Sequence, residues 1–446
     1  MSYVPNTEKD KKEMLRTIGV DDIEKLLKDI PQEIRLKKGL NLPYPLSEIE
    51  LKKEMLSLSE RNADLLHYTS FLGAGAYDHY IPSVVEHLIS RSEFYTAYTP
   101  YQAEASQGML QSIYEFQSMI CELTGMDVAN ASMYDGASAT AEAAMMALRI
   151  TKKKEILVSR ALHPNYRTVL KTYLQGIGIS IKEIPIKNGV TDVDSLSISD
   201  NTAGVIIQQP NFFGCIEELS AINMITKKFG ALFIVSVDPI AMGILKSPGE
   251  LGADIVVGEG QSLGNSLSFG GPYLGFFAAK KEHIRQMPGR LVGATVDAQG
   301  KKGYCLTLQT REQHIKRERA TSNICTNQAL CALAATVYLS VIGKEGLKKV
   351  AELCLQKTHY AQREITKIEG FISPFPAPFF KEFVIKTPAS AKRILEGLLK
   401  EKIIAGLELG NYYPELKDHL LICVTEKRTR AEIERLAEFL QRYPSP

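Results

Sequence analysis

The chain has 446 residues, and its 53 Lys and Arg against 51 Asp and Glu leave a formal charge of +2. That balance argues against a dedicated surface for nucleic acid or for acidic membranes, and the length suggests two or three domains. The seven cysteines stand singly, with no pair in CxxC spacing and an odd total. We therefore predict no zinc knuckle or other metal site, no disulfide framework, and a reducing cytoplasm as the compartment.

The beginning of the chain, MSYVPNTEKDKKEMLRTIGV, lacks the apolar core of a signal peptide. No later run reaches the length of about 18 apolar residues that a bilayer-spanning helix needs. From these two observations we expect a soluble, intracellular protein that has no membrane partner.

Residues 8 to about 62 alternate charged and apolar positions at helical spacing, as in DDIEKLLKDI and LSEIELKKEMLSLSERN. Ser47 and Glu50 have the spacing of a capping box, which predicts the start of the second helix. Between the two helices, KKGLNLPYP breaks the pattern with Gly and Pro. We predict an N-terminal helical arm over residues 1–62 that packs over another element.

Helical and strand patterns alternate between residues 63 and 320. From Ser106 to Leu123 one apolar stripe recurs at helical spacing, and Gly125 ends it. Short apolar runs of the buried-strand type then follow, with helical patterns such as NYRTVLKTYLQGIG between several of them: KEILVSR, AGVIIQQP, GALFIVSVD, GADIVVGE and YLGFFAA. This alternation predicts a large α/β domain on a doubly wound, mostly parallel sheet, which binds ligands at the carboxyl ends of its strands.

The pattern changes beyond residue 320. ALCALAATVYLSVIG predicts a buried helix, and LLICVTE predicts a strand. Thr429 and Glu432 have capping-box spacing at the start of the closing helix, TRAEIERLAEFLQRY. We predict a smaller C-terminal α+β domain over residues 321–446, in which Cys325 is a packing residue.

The segment DGASATAEAAMMALRI, residues 135–150, is a glycine turn with hydroxyl side chains that opens an alanine-rich helix. Backbone N–H groups at a helix start, with Ser138 and Thr140 beside them, would form a cradle for a phosphate group. A simple N-cap accounts for the same residues equally well. Both interpretations stay open at this point.

Two further polar residues follow predicted strands. His163 comes after KEILVSR, where an imidazole could stack on a flat cofactor ring, although a histidine at such a junction is more often structural. Asp238 ends GALFIVSVD, and in pyridoxal-phosphate enzymes an aspartate at this place keeps the pyridine nitrogen protonated; a turn cap is the alternative. Together with the phosphate cradle and the glycine-rich residues 252–272, they are the parts of a pyridoxal-phosphate site in their usual order along the chain.

The lysine that would form the Schiff base is missing from residues 252–272. Ser262 stands where that lysine is expected, and a hydroxyl group cannot form an imine. Lys246 precedes the strand that should present the nucleophile, and Lys280 and Lys281 follow the next strand. The chain is therefore either an enzyme that uses another lysine or part of a site whose lysine lies elsewhere.

Several long segments resemble the glycine-cleavage-system P-protein family: FLGAGAYDHYIP followed by EFYTAYTPYQAEASQG, LTGMDVANASMYDGASATAEA, REQHIKRERATSNICTNQAL, and MLRTIGV and IRLKKGLNLPYPLSE in the arm. The resemblance runs from about residue 10 to the end. That family occurs either as one long chain of two homologous halves or as two separate chains. This chain resembles the first half, which implies pyridoxal-phosphate-dependent transferase fold type I and a place in glycine catabolism.

In the family, the Schiff-base lysine lies in a His-Lys pair of the second half, and the matching pair here is Gln261 and Ser262. The resemblance implies a partner, subunit 2, that carries pyridoxal phosphate covalently, in an α2β2 tetramer of two chains of each kind. It further implies an oxidoreductase complex that decarboxylates glycine and passes the aminomethyl group to the lipoyl arm of the H-protein.

The resemblance also implies that the segment TAYTPYQAE, residues 96–104, forms one wall of a site shared with subunit 2. Tyr98 and Tyr101 would pack or hydrogen-bond near the cofactor phosphate or the substrate, and Gln102 and Glu104 would orient polar groups there. The alternative is that this segment only shapes the contact between subunits.

On that interpretation His163 and Asp238 are vestigial, as are Ser138 and Thr140. Two other hypotheses remain. The chain could be a self-sufficient pyridoxal-phosphate enzyme, such as a desulfurase or an aminotransferase, or a structural subunit that stabilises its partner and docks the H-protein.

Overall fold

A computed structural model describes residues 5–36, 38–321, 324 and 327–443 of the chain. The chain divides into two compact units, residues 1–63 and residues 64–446. The predicted boundary near residue 320 lies inside the second unit, and the division into three domains stays a prediction. Cys325 lies outside the described residues.

The first unit holds two α-helices, α1 (Glu8–Ile18) and α2 (Glu48–Ser59), and a short 3-10 helix at Ile23–Leu27 within the predicted segment DDIEKLLKDI. Both α-helices begin with a capping box, and the one at α2 pairs Ser47 with Glu50, as predicted. Such a box satisfies backbone N–H groups that have no partner inside the helix. Among the described residues of this unit no side chain is buried, so local capping rather than a core defines the two helices.

The second unit contains the remaining helices of the described chain. They are α3 (Ser83–Ile89), α4 (Ser92–Tyr95), α5 (Gln107–Thr124), α6 (Gly136–Thr151), α7 (Pro164–Leu174), α8 (Leu219–Lys228), α9 (Gln313–Lys316), α10 (Ala329–Thr366), α11 (Ala391–Lys400) and α12 (Arg430–Leu440). The helix predicted from Ser106 to Leu123 is α5, and Gly125 ends it in the left-handed region with φ of 68°. The capping box of Thr429 and Glu432 opens α12, as predicted.

The strands also lie in the second unit. They are β1 (Thr69–Ser70), β2 (Val128–Ala129), β3 (Glu155–Ser159), β4 (Ser180–Ile184), β5 (Ile186–Lys187), β6 (Val190–Thr191), β7 (Thr202–Gln209), β8 (Leu232–Val237), β9 (Ile255–Glu259), β10 (Gly275–Ala279), β11 (Leu291–Val296), β12 (Lys302–Thr307), β13 (Glu382–Lys386), β14 (Ile403–Ile404), β15 (Leu407–Glu408) and β16 (His419–Cys423).

The central sheet has seven strands in the order β2-β10-β9-β8-β7-β3-β4. The five strands from β9 to β4 pair in parallel, whereas β10 runs antiparallel to both of its neighbours. All five apolar runs predicted as strands are in this sheet. Their continuous apolar character fits the burial of both faces, because parallel sheets are covered by helices on each side.

One face of the sheet packs against α6 and α7, and the other packs against α5, α8 and α10. Ile206 and Ile234 point to the first face, while Val205 and Val235 point to the second. This alternation follows from the two-residue period of a strand. The sheet is therefore doubly wound, and its strand ends at one edge stay free to carry polar side chains.

Helix α10 is longer than the predicted buried helix, and it is broken at Gly343, where φ is 60° and ψ is −175°. By length and composition alone it could cross a membrane, contrary to the expectation of no such run. Its residues from Ala332 to Leu339 belong to the core beneath the sheet, and a buried core helix has the same apolar composition. The C-terminal part adds a three-stranded sheet, β13-β16-β15, which includes the predicted strand LLICVTE.

Candidate functional site

Polar side chains from several elements meet at the carboxyl ends of β3, β8 and β9, the edge at which such sheets bind ligands. We call this cluster the pseudo-site. It comprises Gly136, His163, Asp238, Glu259, Gln261, Ser262 and Lys381.

The predicted phosphate cradle lies at the start of α6. Asp135 caps the helix by accepting a hydrogen bond from the backbone N–H of Ser138 at 2.7 Å, and Ser138 completes a capping box. The Thr140 hydroxyl is buried and donates to the backbone oxygen of Gly136 at 2.7 Å. Both predicted hydroxyl groups thus have hydrogen-bond partners within their own helix turn.

The carboxylate of Glu259, at the end of β9, occupies the start of α6. It accepts hydrogen bonds from the backbone N–H groups of Gly136 at 3.0 Å, Gln261 at 3.0 Å and Leu274 at 2.9 Å. Burial raises the pKa of this carboxyl to about 7, although the hydrogen bonds act in the opposite direction. A Cβ atom at position 136 would collide with the hydroxyl of Tyr166 and crowd the backbone nitrogen of Glu259, so glycine permits this packing. A carboxylate therefore stands where the sequence predicts a phosphate.

The His163 ring faces protein groups on several sides. It stacks on Tyr166 with ring centroids 4.9 Å apart, and Phe212 lies edge-on at 4.8 Å. Its Nε2 atom is 2.8 Å from the backbone oxygen of Ala74, and its Nδ1 atom accepts a hydrogen bond from Asn165. Burial lowers the pKa of this imidazole. The predicted stacking histidine has a tyrosine in place of a cofactor ring.

Asp238 forms a 2.6 Å ion pair with Lys381, whose side chain is only 2% exposed. The Lys381 ammonium also lies 3.1 Å from His79 Nε2 and 3.4 Å from the centre of the Tyr77 ring. Burial lowers the pKa of Lys381, but the charge and hydrogen bond of Asp238, together with the nearby thiols of Cys423 and Cys354, outweigh it and the pKa is raised. Lys381 is therefore a charged partner of Asp238 and not a neutral amine.

Residues 73–80 pass over this ion pair, and the carboxylates of Glu382 and Glu426 hold them in place. Glu382 accepts hydrogen bonds from the Ala74 backbone at 2.6 Å and from the Tyr77 hydroxyl at 2.8 Å. Glu426 contacts His79 Nδ1 at 2.6 Å. His79, Cys354 and Glu426 could hold a metal ion by spacing, but both nitrogens of His79 already contact Glu426 and Lys381.

Gln261 and Ser262 are buried where the Schiff-base lysine is expected. Gln261 accepts a hydrogen bond from the Tyr77 backbone at 2.8 Å and donates to the backbone oxygens of Tyr77 and Asn265. Within the described residues the Ser262 hydroxyl makes no hydrogen bond. Lys280 pairs with Asp254, which directly precedes the strand that leads to this turn.

The segment at residues 96–104 is open, unlike the pseudo-site. Tyr98 and Tyr101 are 73% and 50% exposed, and Gln102 and Glu104 are also exposed. Behind Tyr101 lies Arg290, a buried arginine that donates to the Tyr101 hydroxyl at 2.7 Å. The exposed aromatic side chains form a surface of the kind that contacts another molecule.

Arg290 is itself held in place. It forms a 3.3 Å ion pair with the buried carboxylate of Glu312, and its guanidinium lies 5.3 Å from the centre of the Tyr101 ring. His314 packs edge-on against the same tyrosine with ring centroids 5.8 Å apart. Tyr101 therefore has a defined orientation although half of it is exposed.

The sequence matches the family model described as glycine cleavage system P-protein over residues 1–440. The chain belongs to this family. It is 59% identical over 440 residues to a probable glycine dehydrogenase (decarboxylating) subunit 1 of Desulforamulus reducens, with 98% of each chain covered. It is 57% identical over 438 residues to the protein of the same name from Desulfitobacterium hafniense, again with 98% of each chain covered.

Solved structures agree with this assignment. An inhibitor-bound glycine decarboxylase (P-protein) of the glycine cleavage system matches with a TM-score of 0.92 and 41% identity, over 99% of this chain and 100% of that chain. A Burkholderia pseudomallei sphingosine-1-phosphate lyase, 15% identical, matches with a TM-score of 0.66 over 92% of each chain and shows the fold alone. The predicted fold class, pyridoxal-phosphate fold type I, is confirmed.

The pseudo-site of this P-protein chain does not fit the cofactor of its fold. The cavity beside Asp238 and Lys381 has a volume of about 20 Å³. Pockets for small molecules and cofactors measure about 300 Å³ or more, so this space suits at most a water molecule. Glu259 holds the phosphate position, Tyr166 covers the histidine, and Lys381 covers Asp238.

Sequence reasoning missed Glu259, Lys381 and Arg290. Glu259 ends an apolar strand, which is the same signal that singled out Asp238. Lys381 stands directly before β13 in the apolar context PFFKEFVI, and a charged residue among buried positions requires a partner. No local pattern marks Arg290, because its role depends on a tyrosine 189 positions earlier in the chain.

Proposed function

We propose that this chain is subunit 1 of a two-chain glycine dehydrogenase (decarboxylating), which removes CO₂ from glycine and transfers the aminomethyl group to the lipoyl arm of the H-protein. The observation that carries the proposal is the identity of 59% with a subunit 1 over 98% of both chains. Subunit 2 is the implied partner, an α2β2 tetramer is the assembly, and the cytoplasm is the compartment.

The cofactor belongs to subunit 2 in this proposal. Ser262 stands at the lysine position of this chain, and the cavity beside Asp238 and Lys381 is too small for pyridoxal phosphate. Held by subunit 2, the cofactor supplies the electron sink that the loss of CO₂ requires. This chain contributes the surface that meets subunit 2. Its side chains there bind and orient the substrate or the cofactor phosphate and exclude water.

We assign that part to Tyr98, Tyr101, Gln102 and Glu104. The two tyrosines offer large, rigid and exposed surfaces with a hydroxyl at the tip, a combination typical of interface residues. Gln102 and Glu104 add an amide and a carboxylate next to them. A surface of this composition can complete a polar site that a second chain opens toward it.

The test uses the complex of both subunits with lipoylated H-protein and measures glycine-dependent CO₂ release. Tyr98→Ala, Tyr101→Ala and Glu104→Gln should each lower turnover while the complex stays intact by size-exclusion chromatography. Tyr173→Phe, on α7 away from this segment, serves as the control. Full turnover in all three variants would favour a purely structural subunit, and lost assembly would favour a segment that only shapes the subunit contact.

A further inference from the structure

We infer that the side chains of the pseudo-site hold the C-terminal part of the chain to the central sheet and fill the place of a ligand. We call this arrangement the lock. Glu259 supplies the hydrogen-bond acceptor at the start of α6, Lys381 supplies the cation on Asp238, and the two together exclude pyridoxal phosphate and inorganic phosphate. The inference concerns this chain alone and does not depend on which reaction the complex performs.

The exclusion of phosphate depends on the surroundings of Glu259. The start of a helix attracts a negative charge through its free N–H groups and its dipole. Here the carboxylate already accepts hydrogen bonds from three backbone N–H groups, those of Gly136, Gln261 and Leu274. An incoming phosphate would have to displace a group that is tethered to the same chain and therefore present at a high effective concentration.

The exclusion of a cofactor ring from Asp238 depends on the ammonium group of Lys381, which has three N–H donors. Its surroundings offer one partner for each donor: the Asp238 carboxylate at 2.6 Å, His79 Nε2 at 3.1 Å and the face of the Tyr77 ring at 3.4 Å. A pyridine nitrogen could reach Asp238 only if this ammonium left. Lys381 is therefore a substitute for the ring and not a hidden Schiff-base lysine.

The lock joins parts that are far apart in the sequence. Asp238 follows β8 of the central sheet, while Lys381 and Glu382 belong to the start of β13 in the C-terminal sheet. Between them lies the segment 73–80, held by Glu382 at Ala74 and Tyr77, by Glu426 at His79, and by Gln261. The same segment leads directly into α3 and then into residues 96–104. Charges that would serve a cofactor thus fix the base of the exposed tyrosine segment.

The experiment places a lysine back at position 262 in the full chain, purified together with its partner subunit. The wild type, Ser262→Lys, and a triple variant that adds Glu259→Gly and Lys381→Met are saturated with pyridoxal phosphate, reduced with borohydride and mapped by peptide mass. We expect no adduct at positions 262 and 381 in the wild type or at position 262 in Ser262→Lys, and an adduct at position 262 in the triple variant. As matched control, Ser262→Lys with Glu217→Gln removes a buried carboxylate outside the pseudo-site and should give no adduct.

An adduct at position 262 in Ser262→Lys alone would overturn the inference, because the site would then be open. A triple variant that melts cooperatively yet gives no adduct would overturn it too, because other groups would then exclude the cofactor. If the lysine variants do not fold, the wild type itself decides by hydrogen exchange. Pyridoxal phosphate should leave exchange unchanged in peptides covering 134–140 and 259–265 of this chain, and slower exchange there would contradict the lock.

Discussion

The pseudo-site and the segment at residues 96–104 differ in what completes them. In the pseudo-site, Glu259 and Lys381 have partners within the chain, and the cavity beside Asp238 and Lys381 measures about 20 Å³. In the segment, Tyr98 and Tyr101 expose half or more of their surface. The first region therefore has the sequence order of a cofactor site but its key groups are paired internally, whereas the second has the exposed surface of a site and is marked in the sequence only by its resemblance to the family.

The difference has a physical origin in burial. Charges taken out of water must be paired, since an unpaired buried charge costs several kcal/mol. A buried polar region without a ligand must therefore pair its charges with its own groups, as the pseudo-site does. Exposed aromatic side chains carry no such requirement, and a second surface can still cover them.

The largest expected effect is the loss of stability when the ion pair between Lys381 and Asp238 in the pseudo-site is broken. Lys381→Met leaves Asp238 buried and uncompensated, so we expect the free energy of unfolding to fall by about 3–5 kcal/mol. Lys381→Met combined with Asp238→Asn should recover most of that loss, because no charge is then left unpaired. Chemical denaturation of the purified complex measures both.

Lys280→Met is the control for this prediction. Lys280 pairs with Asp254 but is about one-third exposed, so its loss should cost about 1 kcal/mol or less. Equal losses from Lys280→Met and Lys381→Met would show that the pseudo-site is no more tightly closed than the protein surface.

A smaller effect should appear as pH dependence. Burial raises the pKa of Glu382 to about 7 from a usual value of 4.5. The folded state therefore holds a proton that the unfolded state has lost, and the stability that this group contributes is complete below pH 4.5 and is lost as the pH rises through about 7. Within that window the slope is about 1.4 kcal/mol per pH unit, or roughly 3 kcal/mol in all.

Glu382→Gln keeps the shape of the side chain and should flatten that part of the stability curve, measured by thermal unfolding at several pH values. Glu217 is buried elsewhere, and burial also raises its pKa to about 7. Glu217→Gln should therefore flatten the curve by a similar amount, and the two effects should add. An unchanged slope in Glu382→Gln would mean that this carboxylate is ionised in the folded protein.

The fold was largely predictable from the sequence, because the strands are buried on both faces. Continuous apolar runs such as AGVIIQQP are typical of strands covered by helices on each side, and capping boxes such as Ser47 with Glu50 act locally. The length of α10 was not predictable in this way. Polar positions near Gly343 and Lys344 ended the pattern, although the helix continues to Thr366 after its break.

Local sequence patterns could not predict that the side chains of the pseudo-site are paired with one another. The sequence places Ser138, His163 and Asp238 at the right strand ends, but it does not show which groups already occupy them. The decisive contacts join Gly136 to Glu259 across 123 positions and His79 to Lys381 across 302 positions. Only the tertiary structure brings these residues together, and only their burial shows that the region is closed.

The smallest effect we expect concerns Arg290, which holds Tyr101 of the segment at residues 96–104 in place. Arg290→Lys keeps a positive charge but loses the planar fork that donates to Tyr101 and pairs with Glu312 at the same time. If the proposed function is correct, turnover of the complex should fall about tenfold, equivalent to about 1.4 kcal/mol, with little change in the melting temperature.

A double-mutant cycle with Tyr101→Phe distinguishes positioning from a general loss of stability. If Arg290 acts by orienting the Tyr101 hydroxyl, Arg290→Lys should lower turnover much less once that hydroxyl is gone, because the two changes remove the same hydrogen bond. Arg285→Lys, an exposed position on the same side of β11 in the sequence, should leave turnover unchanged in both backgrounds. Fully additive losses would instead mean that Arg290 acts on the site by a route that does not include Tyr101. The open region would then depend on the buried groups behind it in a way that the hydrogen bond does not describe.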